Sequence, residues 1–352
     1  MKKGIVLSFK IGAAFIGTVI GAGYASGQEI MQFFSVFGVY GIITLLLSGL
    51  VFIITTVYIF SISAELNVYN YKDFVSKLCG EKMGIFYDAI ITLFLFLGTS
   101  IMFSGSNEIF KIYFHVPKIY GVAIISFLTL LAVFKSLEGL LSVNSIIVPA
   151  ISIVIVLTSF ALLKSKSMLS IWSCIKFPQN TSAFKAFFFM FFYCSYNLML
   201  SLGVLTAFPQ DIRSKKILSL GAFIGGFGLM ILAFFLNVLI LTHMPEVINK
   251  AVPILYITKE FPLYFRYTLA LCIWGEIFST AVSDVFSLAN RLVSKKKYSY
   301  KAVCTAIVLC AIPLSLFDFK ALVAFFYPLF GALSMLLIAK ILLFYVRGGS
   351  KA

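Results

Sequence analysis

Long apolar runs recur along almost the whole chain, and they constrain its fold more than any other feature of the sequence. Of the 352 residues, 61% are hydrophobic and 12% are charged, and the mean hydropathy is +1.05. Soluble domains are about half apolar and about a quarter charged, so one water-exposed domain could not bury this much apolar surface. The composition therefore predicts an all-α integral membrane protein and excludes a soluble enzyme or a disordered chain.

A membrane-spanning helix needs about 20 mostly apolar residues, and ten segments of the sequence meet that need. We expect spans near 8–35, 38–66, 83–111, 117–135, 138–163, 183–209, 215–241, 263–293, 298–317 and 321–346. The connection 242–262 contains three prolines and several polar residues, so it is expected to form an ordered external loop with a short helix. No segment remains for a soluble domain, and residues 1–352 are expected to form a single transmembrane domain.

The basic residues indicate how the spans are oriented. With both termini in the cytoplasm, seventeen Lys and Arg residues fall in inside segments and ten in outside segments. Cytoplasmic loops of membrane proteins carry the excess of positive charge. The chain is therefore expected to be a multi-pass protein of the cell membrane with both termini cytoplasmic. Its net charge of +15 is explained by topology and does not call for a nucleic-acid partner.

Ten spans divide into two halves of five, about 8–163 and about 183–346. Because each half holds an odd number of helices, the second half is expected to be inverted relative to the first. Each half also opens with an irregular helix, at residues 17–23 (GTVIGAG) and 193–197 (YCSYN). Paired interrupted helices at corresponding positions are typical of the central site of a transporter. We therefore expect broken first and sixth helices, with the breaks near 19–23 and 194–198.

Glycines disfavour an unbroken first helix. Gly17, Gly21, Gly23 and Gly27 occur within eleven residues, and each glycine costs a helix about 1 kcal/mol relative to Ala. A helix that restarts after a break offers free N–H groups, which suit a carboxylate, and the unwound carbonyls before it suit a small cation. Gly17 and Gly21 also have the GxxxG spacing of close helix packing, and spacing alone leaves both interpretations open.

Polar residues near both irregular helices favour a binding site. Ionisable groups inside a span are costly and usually face an aqueous pathway, and Glu29 lies in the outer half of the first helix. A position at the outer interface beside a partner is the alternative for this acid. The candidate substrate-binding residues are Gly21, Ala22, Gly23, Tyr24, Ser26, Tyr193, Ser195 and Asn197.

The eighth span carries a polar face. Ser279 and Thr280 are three and four residues after Glu276, so the three share one face of the helix, and Asp284 follows on the same face. Hydroxyl and carbonyl oxygens are hard ligands that suit Na⁺, and two acids on one buried face indicate ion or proton handling. The alternative is that the hydroxyls bond back to their own helix and the acids pair with Lys or Arg.

Two short strings resemble known families. Residues 17–23 resemble the broken first helix of the amino acid–polyamine–organocation superfamily, which includes the neurotransmitter:sodium symporters. Residues 21–29 (GAGYASGQE) closely resemble the YkvI-like amino-acid permeases. This resemblance implies a LeuT-like fold, an inverted repeat of five plus five helices, with the substrate beside the two breaks.

The resemblance also implies a cation site. In sodium-coupled relatives, carbonyls of the first helix meet a carbonyl and two hydroxyls of the eighth. The matching candidate Na⁺ ligands here are Gly17, Ile20, Ser279 and Thr280. Glu276 departs from the pattern, since relatives often carry a small residue there, and an acid could add charge to a Na⁺ site or replace Na⁺ by a proton. With Asp284, these residues form the candidate ion-coupling set, and the coupling ion remains open between Na⁺ and H⁺.

The sequence favours a secondary active transporter of a small amino-acid-like solute, coupled to Na⁺ or H⁺ by alternating access. The alternative is a membrane subunit that senses a ligand without moving it, because germinant-receptor subunits resemble the same superfamily. A channel is disfavoured, since rings of acids and filter loops are lacking. No HExxH, GxSxG or phosphate-binding loop points to an enzyme. The expected partners are a small solute and membrane lipid, with no cofactor other than a candidate Na⁺.

Overall fold

The protein is described by a computed structural model that covers residues 2–135, 149–161, 182–293 and 299–346. Every regular element within those ranges is helical. In chain order the α-helices are α1 (Lys2–Val19), α2 (Ala22–Ala25), α3 (Gln28–Phe33), α4 (Val39–Leu66), α5 (Tyr71–Cys79), α6 (Glu81–Phe114), α7 (Lys118–Val133), α8 (Pro149–Ala161), α9 (Ala183–Leu205), α10 (Phe208–Asp211), α11 (Lys215–Leu241), α12 (Pro253–Ile257), α13 (Leu263–Val293), α14 (Tyr300–Ser315) and α15 (Phe319–Val346).

Among the described residues, six helices are long and apolar enough to cross a membrane: α4, α6, α9 with its extension to Gln210, α11, α13 and α15. Helices α1, α7, α8 and α14 are apolar but shorter. Large apolar side chains cover the outside of the bundle, as Phe127 and Leu271 illustrate with exposed fractions of 61% and 67%. A surface of this kind suits lipid rather than water, and the chain is a multi-pass membrane protein.

Each of the ten predicted spans overlaps at least one described helix. The predicted boundaries of α11 and α13 agree with the structure to the residue. The predicted fifth span, 138–163, is described only over Pro149–Ala161, and the rest of it lies outside the described residues. Six long spans are established in this way, and the count of ten remains a prediction.

The first helix breaks where the glycines predicted. Helix α1 ends at Val19, and Gly21 has an extended backbone (φ −124°, ψ −171°) that leads into α2. A second interruption follows at Gly27, whose φ of +79° lies in the left-handed region that glycine adopts without strain. The chain therefore crosses this region as three helical pieces, and the break at Ile20–Gly21 exposes backbone groups in the middle of the bundle.

The prediction of a broken sixth helix at 194–198 is wrong. Helix α9 is continuous from Ala183 to Leu205. Two turn residues, Thr206 and Ala207, separate it from α10, which begins at Phe208. Polar side chains within α9 bond to carbonyls one turn earlier, as Asn197 Nδ2 does to Tyr193 O (3.0 Å) and Ser201 Oγ to Asn197 O (2.8 Å). Because these groups find partners inside the helix, no unwinding is needed to satisfy them.

Two short helices, α5 and α12, pack against the long helices of the bundle. Helix α12 with the 3₁₀ turn Thr258–Glu260 forms the short helix predicted in the connection 242–262. Its Ile254 N–H donates to Ser26 O (3.2 Å), so this segment packs directly on the broken first helix.

The sequence did not predict helix α5, which is tied to the bundle by a cluster of Tyr71, Asp88 and Arg291. In that cluster Arg291 forms an ion pair with Asp88, and the Tyr71 hydroxyl donates to Asp88 Oδ1 (3.1 Å).

Candidate functional site

A cavity of about 260 Å³ lies at the centre of the bundle, beside the break in the first helix. Helices α1, α6, α9, α13 and α15 contribute to its wall, together with the first-helix residues Ile20, Gly21 and Glu29. The lining residues are Gly17, Thr18, Val19, Ile20, Gly21, Glu29, Phe94, Leu95, Gly98, Met102, Tyr196, Asn197, Leu200, Val204, Ser279, Thr280, Ser283, Asp284, Ser287 and Tyr327.

The four candidate Na⁺ ligands all line this one cavity. Gly17 and Ile20 come from the end of the first helical piece, and Ser279 and Thr280 come from α13. A methyl group placed on Gly21 would lie 3.6 Å from Thr280 Oγ1, so this hydroxyl faces the broken backbone. Thr280 also donates to Glu276 O (2.9 Å), as the alternative interpretation expected. That bond uses the hydroxyl proton and leaves oxygen lone pairs for a cation.

The two acids of α13 lie in different surroundings. Asp284 lines the cavity and packs on α6, where a methyl group on Gly98 would lie 2.6 Å from Asp284 Oδ2. Glu276 is outside the lining and only 1% exposed, and neither of its carboxylate oxygens has a hydrogen-bond partner among the described residues. The pairing with Lys or Arg that the alternative interpretation predicted for Glu276 is not seen in that part of the chain. The ion-coupling role of both acids remains a prediction.

The structure separates the candidate substrate-binding residues into two groups. Gly21 and Asn197 line the cavity. The other six are buried and do not line it: Ala22, Gly23, Tyr24, Ser26, Tyr193 and Ser195.

Several residues of the second group make packing and hydrogen-bonding contacts. The Tyr24 hydroxyl donates to Leu229 O (2.9 Å), and Ser26 Oγ donates to Gly23 O (3.1 Å). The Tyr193 ring packs edge-on against Phe34, with centroids 4.9 Å apart. These contacts hold the broken helix against α9 and α11, and a direct role of these residues in binding stays a prediction.

Glu29 is a lining residue that the candidate set omitted. It is 3% exposed, and its Oε1 accepts hydrogen bonds from the Tyr196 hydroxyl and from Asn197 Nδ2 (3.2 Å). These bonds join the broken first helix to α9 at the cavity wall. The sequence contained the signal, since an acid inside an apolar span usually faces an aqueous pathway.

Three aromatic rings also form part of the lining. Phe94, Tyr196 and Tyr327 lie on α6, α9 and α15, with ring centroids 6.0 Å (Phe94–Tyr196), 6.2 Å (Phe94–Tyr327) and 5.1 Å (Tyr196–Tyr327) apart. These residues are far apart in sequence, so no local pattern could have predicted that they meet.

Sequence comparison links the chain to membrane proteins of undescribed activity. No protein-family model matches it. It is 29% identical over 335 residues to the uncharacterized membrane protein YkvI of Bacillus subtilis strain 168, with 93% of each chain covered. It is 24% identical over 331 residues to the uncharacterized protein YyaD of the same strain, with 94% of each chain covered.

Structure comparison identifies the fold. A Na⁺-coupled sialic acid symporter superposes with a TM-score of 0.65 at 12% identity, covering 93% of this chain and 77% of the symporter. Mhp1, a nucleobase-cation-symport-1 family transporter, gives 0.64 at 12% identity, covering 95% and 75%. The chain has a LeuT-like fold. A manganese transporter of Eremococcus coleocola gives 0.66 at 13% identity, covering 99% and 81%. The described part of this chain contains no cluster of three or more His, Cys, Asp or Glu side chains that could hold a metal ion.

Proposed function

We propose that the protein is a secondary active transporter that moves a small amino-acid-like solute by alternating access, driven by a Na⁺ or proton gradient. One observation carries the proposal. The broken backbone of the first helix lies beside the Thr280 hydroxyl, and Ser279 lines the same cavity, which is large enough for a small solute. Backbone breaks at the centre of a membrane bundle are the usual sites of substrate and ion binding in transporters.

The ion site in this proposal consists of the carbonyl groups of Gly17 and Ile20 and the hydroxyl groups of Ser279 and Thr280. The solute occupies the same cavity, beside Gly21 and Asn197. Symporters that share the fold support this assignment, since their Na⁺ or cation coupling is stated for those proteins. Na⁺ is favoured over H⁺, because two hydroxyls stand at adjacent positions of one helix face.

The finer architecture belongs to the same proposal. Ten spans in a single domain would form an inverted repeat, about 8–163 and about 183–346, with both termini in the cytoplasm. The similarity to YkvI and the fold are compatible with the amino acid–polyamine–organocation superfamily. With α9 continuous through 194–198, only the first half of this repeat carries the predicted break, at Ile20–Gly21.

Counterflow tests the proposal. Purified protein is reconstituted into vesicles loaded with a mixture of unlabelled amino acids, and entry of each labelled amino acid is followed against protein-free vesicles. A transporter exchanges its solute, so at least one label should accumulate transiently. Binding of a compound without exchange in any ion condition would contradict transport and support the ligand-sensing alternative.

A further inference from the structure

The charged side chains that line the central cavity are acidic. Its lining holds two acids, Glu29 and Asp284, and no Lys, Arg or His among the residues that the structure describes. Both acids are at least nine-tenths buried, with exposed fractions of 3% and 8%. Buried charges need a partner of opposite sign, so two acids in one cavity favour a positively charged occupant.

Glu29 has one oxygen available for such an occupant. Its Oε1 accepts the bonds from Tyr196 and Asn197, while Oε2 accepts no hydrogen bond from the described residues. Ionised carboxylates can accept at both oxygens. Because two donors on α9 hold the other oxygen, the carboxylate is fixed in place, and Glu29 is one of the residues that line the cavity.

The aromatic rings add a second, independent feature. Phe94, Tyr196 and Tyr327 line the same cavity as the two acids, with centroids 5.1 to 6.2 Å apart. The π-electrons of aromatic rings attract ammonium groups, and several rings beside one acid are a recurring way to bind them. An anionic solute would be repelled by the two acids and by the π-electrons of the rings.

We propose that the cavity recognises its solute through a protonated amine, held by Glu29 Oε2 and the rings of Phe94, Tyr196 and Tyr327, and that a carboxylate on the solute is not required. This inference rests on the proposed function for its site and goes further by naming the group that is recognised. It predicts that amines without a carboxylate bind as well as the corresponding amino acids.

The surroundings of Gly23 explain why the carboxylate is dispensable. The sequence suggested that free N–H groups at Ala22 and Gly23 receive a solute carboxylate, yet neither residue lines the cavity. A methyl group on Gly23 would lie 3.0 Å from Glu29 Oε2. The protein's own carboxylate thus occupies the space beside this short helix, and a second anion there would be repelled.

The test uses matched sets of three compounds: an L-amino acid, its N-acetyl derivative, which lacks the positive charge, and its decarboxylated amine, which lacks the negative charge. Binding to the full-length protein in detergent is measured as the ligand-dependent rise in melting temperature, since a ligand that binds the folded state stabilises it. Simple carboxylic acids, sugars and nucleobases are included as probes without a cationic nitrogen. Exchange is measured separately by counterflow.

We expect at least one set in which the amino acid and the amine bind within about tenfold of each other. The N-acetyl derivative should bind roughly tenfold to hundredfold more weakly, as expected when a hydrogen bond between charged groups is lost. Tightest binding by a compound without a cationic nitrogen, or binding by no amine, would overturn the inference. A bound amine that is not exchanged would contradict the proposed function and leave the inference intact.

Substitution of Glu29 completes the test. Glu29→Gln keeps an oxygen acceptor for Tyr196 and Asn197 but removes the charge, so amine binding should fall at least about tenfold. Glu29→Asp keeps the charge and should retain part of the binding. Glu108→Gln is the matched control, because this acid is buried at 6% exposure but does not line the cavity. Unchanged amine affinity in folded Glu29→Gln would overturn the inference, and the compound sets decide the question if that variant does not fold.

Discussion

Thr280 illustrates at the scale of one residue how a helix hydroxyl can serve two partners. Its proton is donated to Glu276 O, and its oxygen faces the broken backbone at Gly21. The sequence predicted which face of α13 carries the polar groups, because the spacing of residues along a helix determines its faces. It did not predict that Glu276 would lie outside the cavity lining, since the spacing does not say what packs against each turn.

Thr280→Ala is expected to weaken Na⁺-dependent binding about tenfold, because it removes one hard oxygen ligand while Ala preserves the helix. The measurement is the Na⁺ concentration that half-saturates solute binding. Thr268→Ala is the matched control, since Thr268 lies on the same helix and donates to Tyr264 O (2.9 Å) in the same way, away from the cavity. Equal Na⁺ affinities in both variants and the wild type would exclude Thr280 as a ligand.

Glu276→Gln addresses the other coupling ion. If a proton drives transport, the variant should lose the pH dependence of uptake, because Gln cannot exchange a proton. If Na⁺ drives transport, Glu276→Gln should leave the Na⁺ dependence in place. The measurement is the initial uptake rate over a range of internal and external pH. A pH profile identical to the wild type would contradict a role of Glu276 in proton coupling.

At the scale of the helices, glycine distinguishes the prediction that was confirmed from the one that failed. The break at Ile20–Gly21 and the turn at Gly27 occur in a stretch that is rich in glycine, and backbone cost is readable from sequence. Helix α9 was expected to break on polar residues alone, yet Asn197 and Ser201 bond within the helix. Polar side chains that find partners within the helix do not predict a break. Glycine content alone does not predict one either, since α11 is continuous through Gly221, Gly225, Gly226 and Gly228.

Gly27→Ala should destabilise the protein by about 1 to 2 kcal/mol, since the left-handed backbone disfavours a side chain. The added methyl group would also lie 3.1 Å from Ile254 and 3.2 Å from Ile240. Gly203→Ala in α9 is the matched control: nothing lies within 4 Å of the added methyl group, and helical Ala is favoured over Gly. The melting temperature, measured by thermal unfolding in detergent, should fall for Gly27→Ala and not for Gly203→Ala. Equal melting temperatures of the two variants and the wild type would contradict the left-handed backbone at Gly27.

The cluster of Tyr71, Asp88 and Arg291 is expected to stabilise the contact between α5, α6 and α13. The two charged side chains are 15% (Asp88) and 29% (Arg291) exposed. Asp88→Asn and Arg291→Gln should each cost about 1 to 3 kcal/mol, because each leaves a partly buried charge without its ion-pair partner.

In a double-mutant cycle the two losses should couple by about 1 to 2 kcal/mol. Arg213→Gln, at an exposed arginine, serves as the control. Additive losses from Asp88→Asn and Arg291→Gln would show that the ion pair does not contribute to stability.

At the scale of the whole molecule, hydropathy predicted the membrane class and the approximate positions of the apolar helices, but not helix α5. The walls of the cavity could not be predicted, because Glu29, Phe94, Tyr196 and Tyr327 meet only through the tertiary packing of four helical elements. The resemblance of residues 17–29 to transporters anticipated the LeuT-like fold. It did not anticipate that the cavity would hold two acids and three aromatic rings.

Concentrative uptake distinguishes an ion-coupled transporter from a protein that only binds its solute or lets it equilibrate. Vesicles that contain the purified protein are given an inward Na⁺ gradient, an inward proton gradient or neither, and labelled solute from the counterflow screen is followed with time. We expect the solute to accumulate above its external concentration with one of the two gradients, and the accumulation to collapse when an ionophore dissipates that gradient. Equilibration at the same rate in all three conditions, or no entry of any bound solute, would contradict ion-coupled transport.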